Sequence, residues 1–293
     1  MQTVLEILNK TTEYFKKCGV PDSRLDAQYI ISKGLGLSRM ELYLKFDRPL
    51  TEQELVALRA MVARRGKREP LQHVLGSTSF CGHEIKCDRR ALIPRPETEI
   101  LVELVLKYIK DIKNPYIADV GTGTGAIAIA IALARPDATL LALDDSPDAL
   151  ALAQENIELH ALAERVHVLR SNLLEKDTGG KPFDLIASNL PYIPTATMAN
   201  LQQEVKEFDP PMALDGGDDG LVLVRKLLLQ CASRLNPAGI VLLEVGEGQS
   251  GQLGNEKGAF PGLVFTKSHA DLEKVDRFPE FRKDSAEIVG DML

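Results

Sequence analysis

Apolar residues recur at helical spacing along residues 1–66. This spacing places them on one side of successive helices, because positions three and four residues apart are neighbours on a helix surface. The positions that carry the pattern are Val4, Ile7, Leu8, Phe15, Leu25, Ile30, Ile31, Leu55, Leu58 and Val62. The pattern predicts a small helical bundle that packs on its own core.

Three hydroxyl residues in this region are each followed, three positions later, by a glutamate. The pairs are Thr3 with Glu6, Ser38 with Glu41, and Thr51 with Glu54. Each pair fits a capping box, in which the hydroxyl and the carboxylate each accept a backbone N–H that the first helical turn leaves unbonded. We therefore expect helices to begin at these positions. The basic run at residues 64–68 indicates a solvated helix end, or alternatively a docking contact for an acidic partner.

From residue 115 onward, short apolar runs alternate with helical patterns. The predicted strands are 117–120, 139–143, 166–169, 183–187, 240–243 and 263–266, and the predicted helices are 126–134, 147–159 and 221–235. This alternation is typical of an α/β fold with a mostly parallel sheet and helices on both faces. The tail at residues 287–293 is predicted to add a final edge strand.

Glycine, serine and aspartate interrupt short β-like runs between these two regions, which predicts a β-hairpin. We therefore expect three parts in the chain. They are an N-terminal helical domain at residues 1–75, a β-hairpin linker at 76–92 and an α/β domain at 93–293.

Composition disfavours several classes of function. The chain has 293 residues and a formal net charge of -7, with 44% hydrophobic and 26% charged residues. The negative charge disfavours a stable nucleic acid partner, because phosphate backbones attract basic proteins. We find no basic and apolar leader and no apolar run of membrane-spanning length, so we expect a cytoplasmic protein without membrane contact. The four cysteines lack metal-binding spacing, and no metal site is expected.

A glycine-rich turn follows the first predicted strand of the α/β region. Asp119 and Val120 precede Gly121, Thr122, Gly123, Thr124 and Gly125, and a helix rich in alanine and isoleucine comes directly after them. Such a turn lets the backbone approach a ligand, and the helix offers free N–H groups. Asp144 ends the second strand, where an acidic side chain binds ribose hydroxyls in nucleotide sites. The order of these features predicts a cofactor that contains a nucleoside.

A second polar corner follows the apolar run at residues 183–187. Asn189, Leu190, Pro191 and Tyr192 come at the carboxyl end of this strand. Open α/β sheets bind their ligands at this end of the strands. The sequence therefore predicts that an amide and an aromatic ring lie beside the cofactor.

The glycine loop, in the form GxGxG with Asp119 before it, resembles class I S-adenosylmethionine-dependent methyltransferases. The resemblance implies S-adenosyl-L-methionine as cofactor, S-adenosyl-L-homocysteine as product, and a place for Asn172 and Leu173 near the adenine. A turn-forming role is the alternative for Asn172. Residues 189–192 resemble the Asn/Asp-Pro-Pro-Tyr motif of methyltransferases that act on planar nitrogens. In that motif the Asn189 oxygen and the residue 190 carbonyl accept hydrogen bonds from the substrate NH2 group.

Most of the chain resembles one family, the release factor glutamine methyltransferases, also called HemK or PrmC. The blocks that carry this resemblance are residues 21–27, 69–76, 92–99, 119–125, 189–192, 213–221 and 243–249. The resemblance implies N5-methylation of the glutamine in the Gly-Gly-Gln loop of bacterial class I peptide release factors. It also implies that the N-terminal helices help bind this protein substrate. We predict that Arg95 and Glu97 border the cofactor or substrate, with structural ion pairing as the alternative, and that the protein is a monomer.

Two other hypotheses stay open at this point. Asn-Leu-Pro-Tyr is also similar to the motif of rRNA adenine dimethyltransferases, so adenine N6-methylation of rRNA or DNA is an alternative. A nucleotide-binding module without catalysis, or a dehydrogenase that uses the same loop, would leave the motif at Asn189 unexplained. The chain departs from the glutamine methyltransferase pattern at Leu190, where proline is usual, and at Asn172, where aspartate is usual.

Overall fold

The computed structural model of the protein describes residues 2–176 and 180–284. The chain divides into two units. One, here called the helical unit, comprises Met1–Thr78 together with Leu201–Phe208. The other, here called the sheet unit, comprises Ser79–Asn200 and Asp209–Leu293. The sequence did not indicate that a short segment from the second half of the chain belongs to the helical unit.

The described residues form the following helices and strands, each kind numbered in chain order. The helices are α1 (Val4–Lys17), α2 (Ser23–Leu35), α3 (Arg39–Leu44), α4 (Glu52–Gly66), α5 (Leu71–Leu75), α6 (Thr98–Tyr108), α7 (Ala126–Ala134), α8 (Pro147–Leu159), α9 (Gln203–Phe208), α10 (Val222–Cys231) and α11 (Gln249–Asn255). The strands are β1 (Ser77–Phe80), β2 (His83–Lys86), β3 (Tyr116–Val120), β4 (Thr139–Asp144), β5 (Val166–Arg170), β6 (Phe183–Asn189), β7 (Leu235–Glu244), β8 (Leu263–Ala270) and β9 (Asp276–Lys283).

The three predicted capping boxes are confirmed at the starts of α1, α3 and α4. In each of them the hydroxyl accepts the backbone N–H of the glutamate, and the carboxylate accepts the N–H of the capping residue. The predicted apolar core of the bundle is also confirmed, with Leu8, Phe15 and Ile30 fully buried. Leu25 was predicted to lie on the apolar side, and this is wrong. Its side chain is 39% exposed.

The basic run at residues 64–68 is a solvated helix end only in part, at the exposed residues Arg64 and Lys67. Arg65 is buried, and its guanidinium donates to Asp26 at 2.7 Å and to Glu204 at 3.2 Å. Arg68 donates to the same Glu204 carboxylate at 2.6 Å. These bonds hold the segment Leu201–Phe208 within the helical unit. The ion pairs of Arg65 and Arg68 with Glu204 join residues that are more than a hundred positions apart in sequence, so no local pattern could have predicted them.

The predicted hairpin and the predicted mostly parallel sheet are both confirmed. Strands β1 and β2 form a separate two-stranded sheet. Seven strands of the described residues form a second sheet in the order β5-β4-β3-β6-β7-β9-β8. The pairs from β5 to β7 are parallel, and β9 is antiparallel to both β7 and β8. This order reverses direction between β3 and β6, which places a crevice at their carboxyl ends.

Two details at the C-terminal side differ from the prediction. The strand β9 was not predicted, and the tail at 287–293, predicted as the edge strand, lies outside the described residues. The predicted helix at 221–235 is too long, because α10 ends at Cys231 and Leu235 already belongs to β7.

Helices cover both faces of the sheet, as predicted. Alternate residues of one strand belong to two different apolar clusters, Ile117 to one and Ala118 to the other. The first cluster includes residues of α6, α7 and α8, and the second includes residues of α10 and α11. Because both faces are buried, the central strands are held firmly, and their carboxyl ends form a rigid rim for the site.

Candidate active site

A cavity of about 240 Å³ opens within the sheet unit at the carboxyl ends of β3, β4 and β6. Predicted site residues that line it are Arg95, Gly121, Thr122, Gly123, Thr124, Asp144, Asn172, Leu173, Asn189, Leu190 and Pro191. Three other predicted site residues, Glu97, Gly125 and Tyr192, are not in this lining. The structure thus brings the glycine loop and the Asn189 motif to one cavity.

The glycine loop is shaped by hydrogen bonds to the neighbouring strand. The N–H groups of Gly121 and Thr122 both donate to the carbonyl of Leu143, at 2.8 Å and 2.9 Å. Gly121 has a φ of +74°, a conformation that residues with a Cβ rarely adopt. A Cβ at this position would also lie 2.9 Å from Cδ2 of Leu190. Gly121 is therefore the point where the glycine loop contacts the Asn189 motif.

Replacement of Gly121 by alanine is expected to destabilise the protein by about 1–3 kcal/mol, because the added methyl group strains the backbone and pushes Leu190 away. Urea unfolding measures this loss. Gly251→Ala is the matched control, since a Cβ there meets nothing within 4 Å on helix α11. Equal stability of the two variants would contradict the close approach of Gly121 and Leu190.

Asp144 is held at the cavity by two backbone N–H groups. Its carboxylate accepts from Gly123 at 3.0 Å and from Ser146 at 3.0 Å, and so it joins the glycine loop to the start of α8. Burial raises the pKa of this carboxyl, and the hydrogen bonds to the two N–H groups lower it in part. Each oxygen keeps further acceptor capacity toward the cavity, because a carboxylate has about four lone-pair sites.

Asn172 and Leu173 form the wall that follows β5. The Asn172 amide nitrogen donates to Glu175 at 2.9 Å, so the side chain takes part in the local turn as well as in the cavity wall. Leu173 has a φ of +53° and is buried. This unusual backbone conformation for a leucine places an apolar side chain beside the cavity.

Asn189 is the last residue of β6. Directly before it, the Ser188 hydroxyl donates to the Val120 carbonyl at 2.6 Å and fastens the end of β6 to β3. The Asn189 amide nitrogen donates to the Thr98 hydroxyl at 3.1 Å. Because the nitrogen is bound in this way, the amide has a fixed orientation and the oxygen keeps its acceptor capacity.

Leu190, Tyr192 and Ile193, which follow Asn189, have different surroundings. Leu190 is 6% exposed and belongs to the apolar core, so a polar side chain at this position would be buried without a partner. The Tyr192 carbonyl accepts from the Gln249 side chain at 2.9 Å, and burial raises the pKa of the tyrosine hydroxyl. The carbonyl of Ile193 accepts from the Gly216 N–H at 2.8 Å, which joins the motif to the loop that follows it.

Arg95 lies at the cavity and also takes part in a structural ion pair. It lines the cavity, and it donates to the buried Asp209 carboxylate at 3.1 Å. Burial raises the pKa of Asp209 to about 6, although the charge of Arg95 acts in the opposite direction. Glu97 is exposed at the start of α6.

Comparisons with known proteins match two families along the chain. The model of the family "PrmC N-terminal domain" matches residues 6–76, and that of "Methyltransferase small domain" matches residues 97–208. A release factor glutamine methyltransferase of Geobacter sulfurreducens is 43% identical over 251 residues, which cover 85% of this chain and 86% of the relative. The chain belongs to the release factor glutamine methyltransferase family.

Other members of the family are similar over nearly the whole chain. The protein of that name from Rhodopirellula baltica is 37% identical over 280 residues, covering 93% of this chain and 95% of the relative. A crystal structure of a release factor-specific protein-(glutamine-N5) methyltransferase from Alicyclobacillus acidocaldarius is 29% identical. It covers 66% of this chain and 94% of that chain, with a TM-score of 0.42. Membership of this family makes the protein a methyltransferase.

Within residues 2–176 and 180–284, no helix is long and apolar enough to cross a membrane. In the same ranges, no three histidine, cysteine, aspartate or glutamate side chains lie close enough together to hold a metal ion.

The structure shows two buried carboxyls that the sequence did not predict as site residues. Asp119 is fully buried and accepts from the Thr122 hydroxyl at 2.7 Å, and burial raises its pKa to about 6. Glu244 ends β7 and is the register partner of Asn189 on β6. Burial raises the pKa of Glu244 to about 7. The one signal in the sequence was a glutamate directly after the apolar run at 240–243, the same strand-end position that Asp144 occupies on β4.

Proposed function

We propose that this methyltransferase transfers a methyl group from S-adenosylmethionine to the glutamine side chain in the Gly-Gly-Gln loop of peptide chain release factors. The observation that carries the proposal is the contact between Gly121 and Leu190, which places the glycine loop and the Asn189 motif on one cavity. The relatives that share most of this chain carry the name of that activity.

The residues at the cavity fit the proposed cofactor. Asp144 offers acceptors for the ribose hydroxyls, and Asn172 offers an amide that can both donate and accept at the adenine edge. Leu173 supplies an apolar surface for the base. The positive end of α7 follows the glycine loop and favours a negatively charged carboxylate. When bound, S-adenosylmethionine would supply an electrophilic methyl group on a positively charged sulfur.

The residues of the motif would orient the acceptor nitrogen. An amide nitrogen is a poor nucleophile because its lone pair is delocalised into the carbonyl group. The Asn189 oxygen and the Leu190 carbonyl would accept its two N–H groups and hold the nitrogen in line with the methyl group, and Tyr192 would support this corner. Such positioning lowers the activation free energy, because the reacting groups are already oriented before the reaction. The proton would leave after methyl transfer, since methylation makes the amide strongly acidic.

The helical unit is proposed to bind the protein substrate. Its residues 6–76 match the family's own N-terminal domain, and the unit has its own buried core. We further propose that the protein acts in the cytoplasm, where release factors are found, and that it does so as a monomer.

Incubation with radiolabelled S-adenosylmethionine tests the proposed function. Three acceptors are offered in separate reactions: a release factor, the same factor with Gln→Ala in its Gly-Gly-Gln loop, and rRNA. We expect label on the unmodified factor alone. Label on rRNA but not on the factor would favour the adenine methyltransferase hypothesis and refute the proposal.

A further inference from the structure

Glu244 lies next to Asn189 across the sheet. The two residues are register partners at the ends of β6 and β7. Neighbouring strands are about 4.8 Å apart, and residues in register point to the same face. Glu244 is 2% exposed and is not part of the cavity lining, so it can act on a bound substrate only through another side chain.

The side chain of Thr98 lies near both Asn189 and Glu244. The Asn189 amide nitrogen donates to the oxygen of the Thr98 hydroxyl at 3.1 Å. Thr98 is buried and therefore needs a partner for its own proton. Thr98 and Asn189 both lie close enough to Glu244 for their polar side chains to lower the pKa of its carboxyl. The second carboxyl oxygen, Oε2, is buried and has no hydrogen-bond partner among the described residues.

The protonation state of this carboxyl decides which atom of Asn189 faces it. An ionised carboxylate only accepts, so Thr98 donates to it and the Asn189 nitrogen stays on the same side. The Asn189 oxygen then faces away, toward the cavity. A protonated carboxyl, or a glutamine in its place, can donate a proton and so attract the Asn189 oxygen, which would then compete with the substrate for that acceptor.

We infer that Glu244 is a positioning residue, which acts with Thr98 to fix the Asn189 amide so that its oxygen accepts from the substrate NH2 group. This inference rests on the proposed function. It adds a residue from a neighbouring strand to the site.

Burial and the surrounding charges place the titration of Glu244 near neutral pH. Burial, followed by the charge of Glu97 at the start of α6, raises its pKa, while Arg277 on β9 lowers it. Tyr192, after β6, interacts with both Glu244 and Arg277. With a pKa of about 7, the carboxyl is protonated at lower pH and ionised at higher pH. The orientation of Asn189 needed for transfer is therefore favoured above neutral pH.

Replacement of Glu244 by glutamine tests the inference through the pH dependence of kcat. For the wild-type enzyme with a release factor, we expect kcat to rise between about pH 6 and about pH 9 as the carboxyl ionises. In Glu244→Gln, kcat at the upper end of this pH range should fall about tenfold, and the rise of kcat with pH should disappear. Glu164→Gln makes the same chemical change at an exposed position of the sheet unit and should retain the wild-type profile.

Variants of Thr98 provide a second test that does not depend on the folding of Glu244→Gln. Thr98→Val removes the hydroxyl and should lower kcat to a similar extent, and Thr98→Ser should restore it. The affinity for S-adenosylhomocysteine should stay within about twofold of wild type in the Thr98 and Glu244 variants, because neither Thr98 nor Glu244 is a proposed cofactor contact.

The possible outcomes separate the two proposals. If the wild-type enzyme transfers no methyl group to the release factor, the proposed function is wrong and this inference is wrong with it. If the wild-type enzyme is active but Glu244→Gln keeps both its kcat and its pH profile, or Thr98→Val equals Thr98→Ser, only the inference is overturned.

Discussion

Replacement of Asn189 by alanine is expected to lower turnover by roughly 10²- to 10³-fold, the usual loss when one preorganised polar contact to the reacting group is removed. The side chain is held by Thr98 at the end of β6, so its oxygen needs no reordering when the substrate amide arrives. Alanine leaves the Leu190 carbonyl as the remaining acceptor. One acceptor alone cannot fix both the position and the direction of the nitrogen.

Binding of the cofactor product should change little in this variant. Its affinity is measured by titration with S-adenosylhomocysteine, and turnover is measured at saturating substrate. Asn255→Ala, at the exposed end of α11, is the matched control and should behave as wild type. Turnover of Asn189→Ala equal to that of the control would refute the role proposed for Asn189.

Replacement of Asp144 by alanine is expected to weaken cofactor binding by about 10²-fold. Two hydrogen bonds from ribose hydroxyls to a charged acceptor would be lost; each has a net contribution on the order of 1.5–3 kcal/mol, and the lower end of this range for both gives about 10²-fold. The glycine loop would also lose an anchor, since Asp144 accepts from the Gly123 N–H. Turnover at saturating cofactor should fall much less, because Asp144 has no proposed contact with the acceptor amide.

Isothermal titration with S-adenosylmethionine or S-adenosylhomocysteine measures this loss. Asp148→Ala, an exposed aspartate in the first turn of α8, is the matched control. An unchanged dissociation constant in Asp144→Ala would remove Asp144 from the proposed ribose site. A fall in kcat with no change in affinity would point instead to a role in methyl transfer.

Features that depend on a few consecutive residues could be predicted from the sequence. The capping boxes at Thr3, Ser38 and Thr51 form because hydroxyl and carboxylate lie one helical turn apart, a distance fixed by local geometry. The glycine loop and Asp144 were found for a similar reason. Each of them ends a strand whose apolar run is visible in the sequence.

The strand β9 was missed because its sequence is polar for a buried strand. Glu280 is fully buried there, and its carboxylate accepts from Tyr108, His269 and Arg282. A buried charge is tolerated only with such partners. They come from α6, β8 and β9, and the sequence contains no sign that these elements meet.

The same reason explains which part of the candidate site was missed. The neighbourhood of Glu244, Thr98 and Asn189 depends on the register of β6 against β7 and on the docking of α6. A shift of one residue in that register would turn Glu244 to the opposite face. The sequence predicts which residues end each strand, but the side chains that meet there are set by the pairing of the strands.

The most direct test of the central claim is mass spectrometry of a release factor after incubation with this enzyme and S-adenosylmethionine. The account predicts one added methyl group, located on the side-chain nitrogen of the glutamine in the Gly-Gly-Gln loop, and almost none with Asn189→Ala. A methyl group on another residue of the factor, or an unmodified factor beside methylated rRNA adenine, would contradict it.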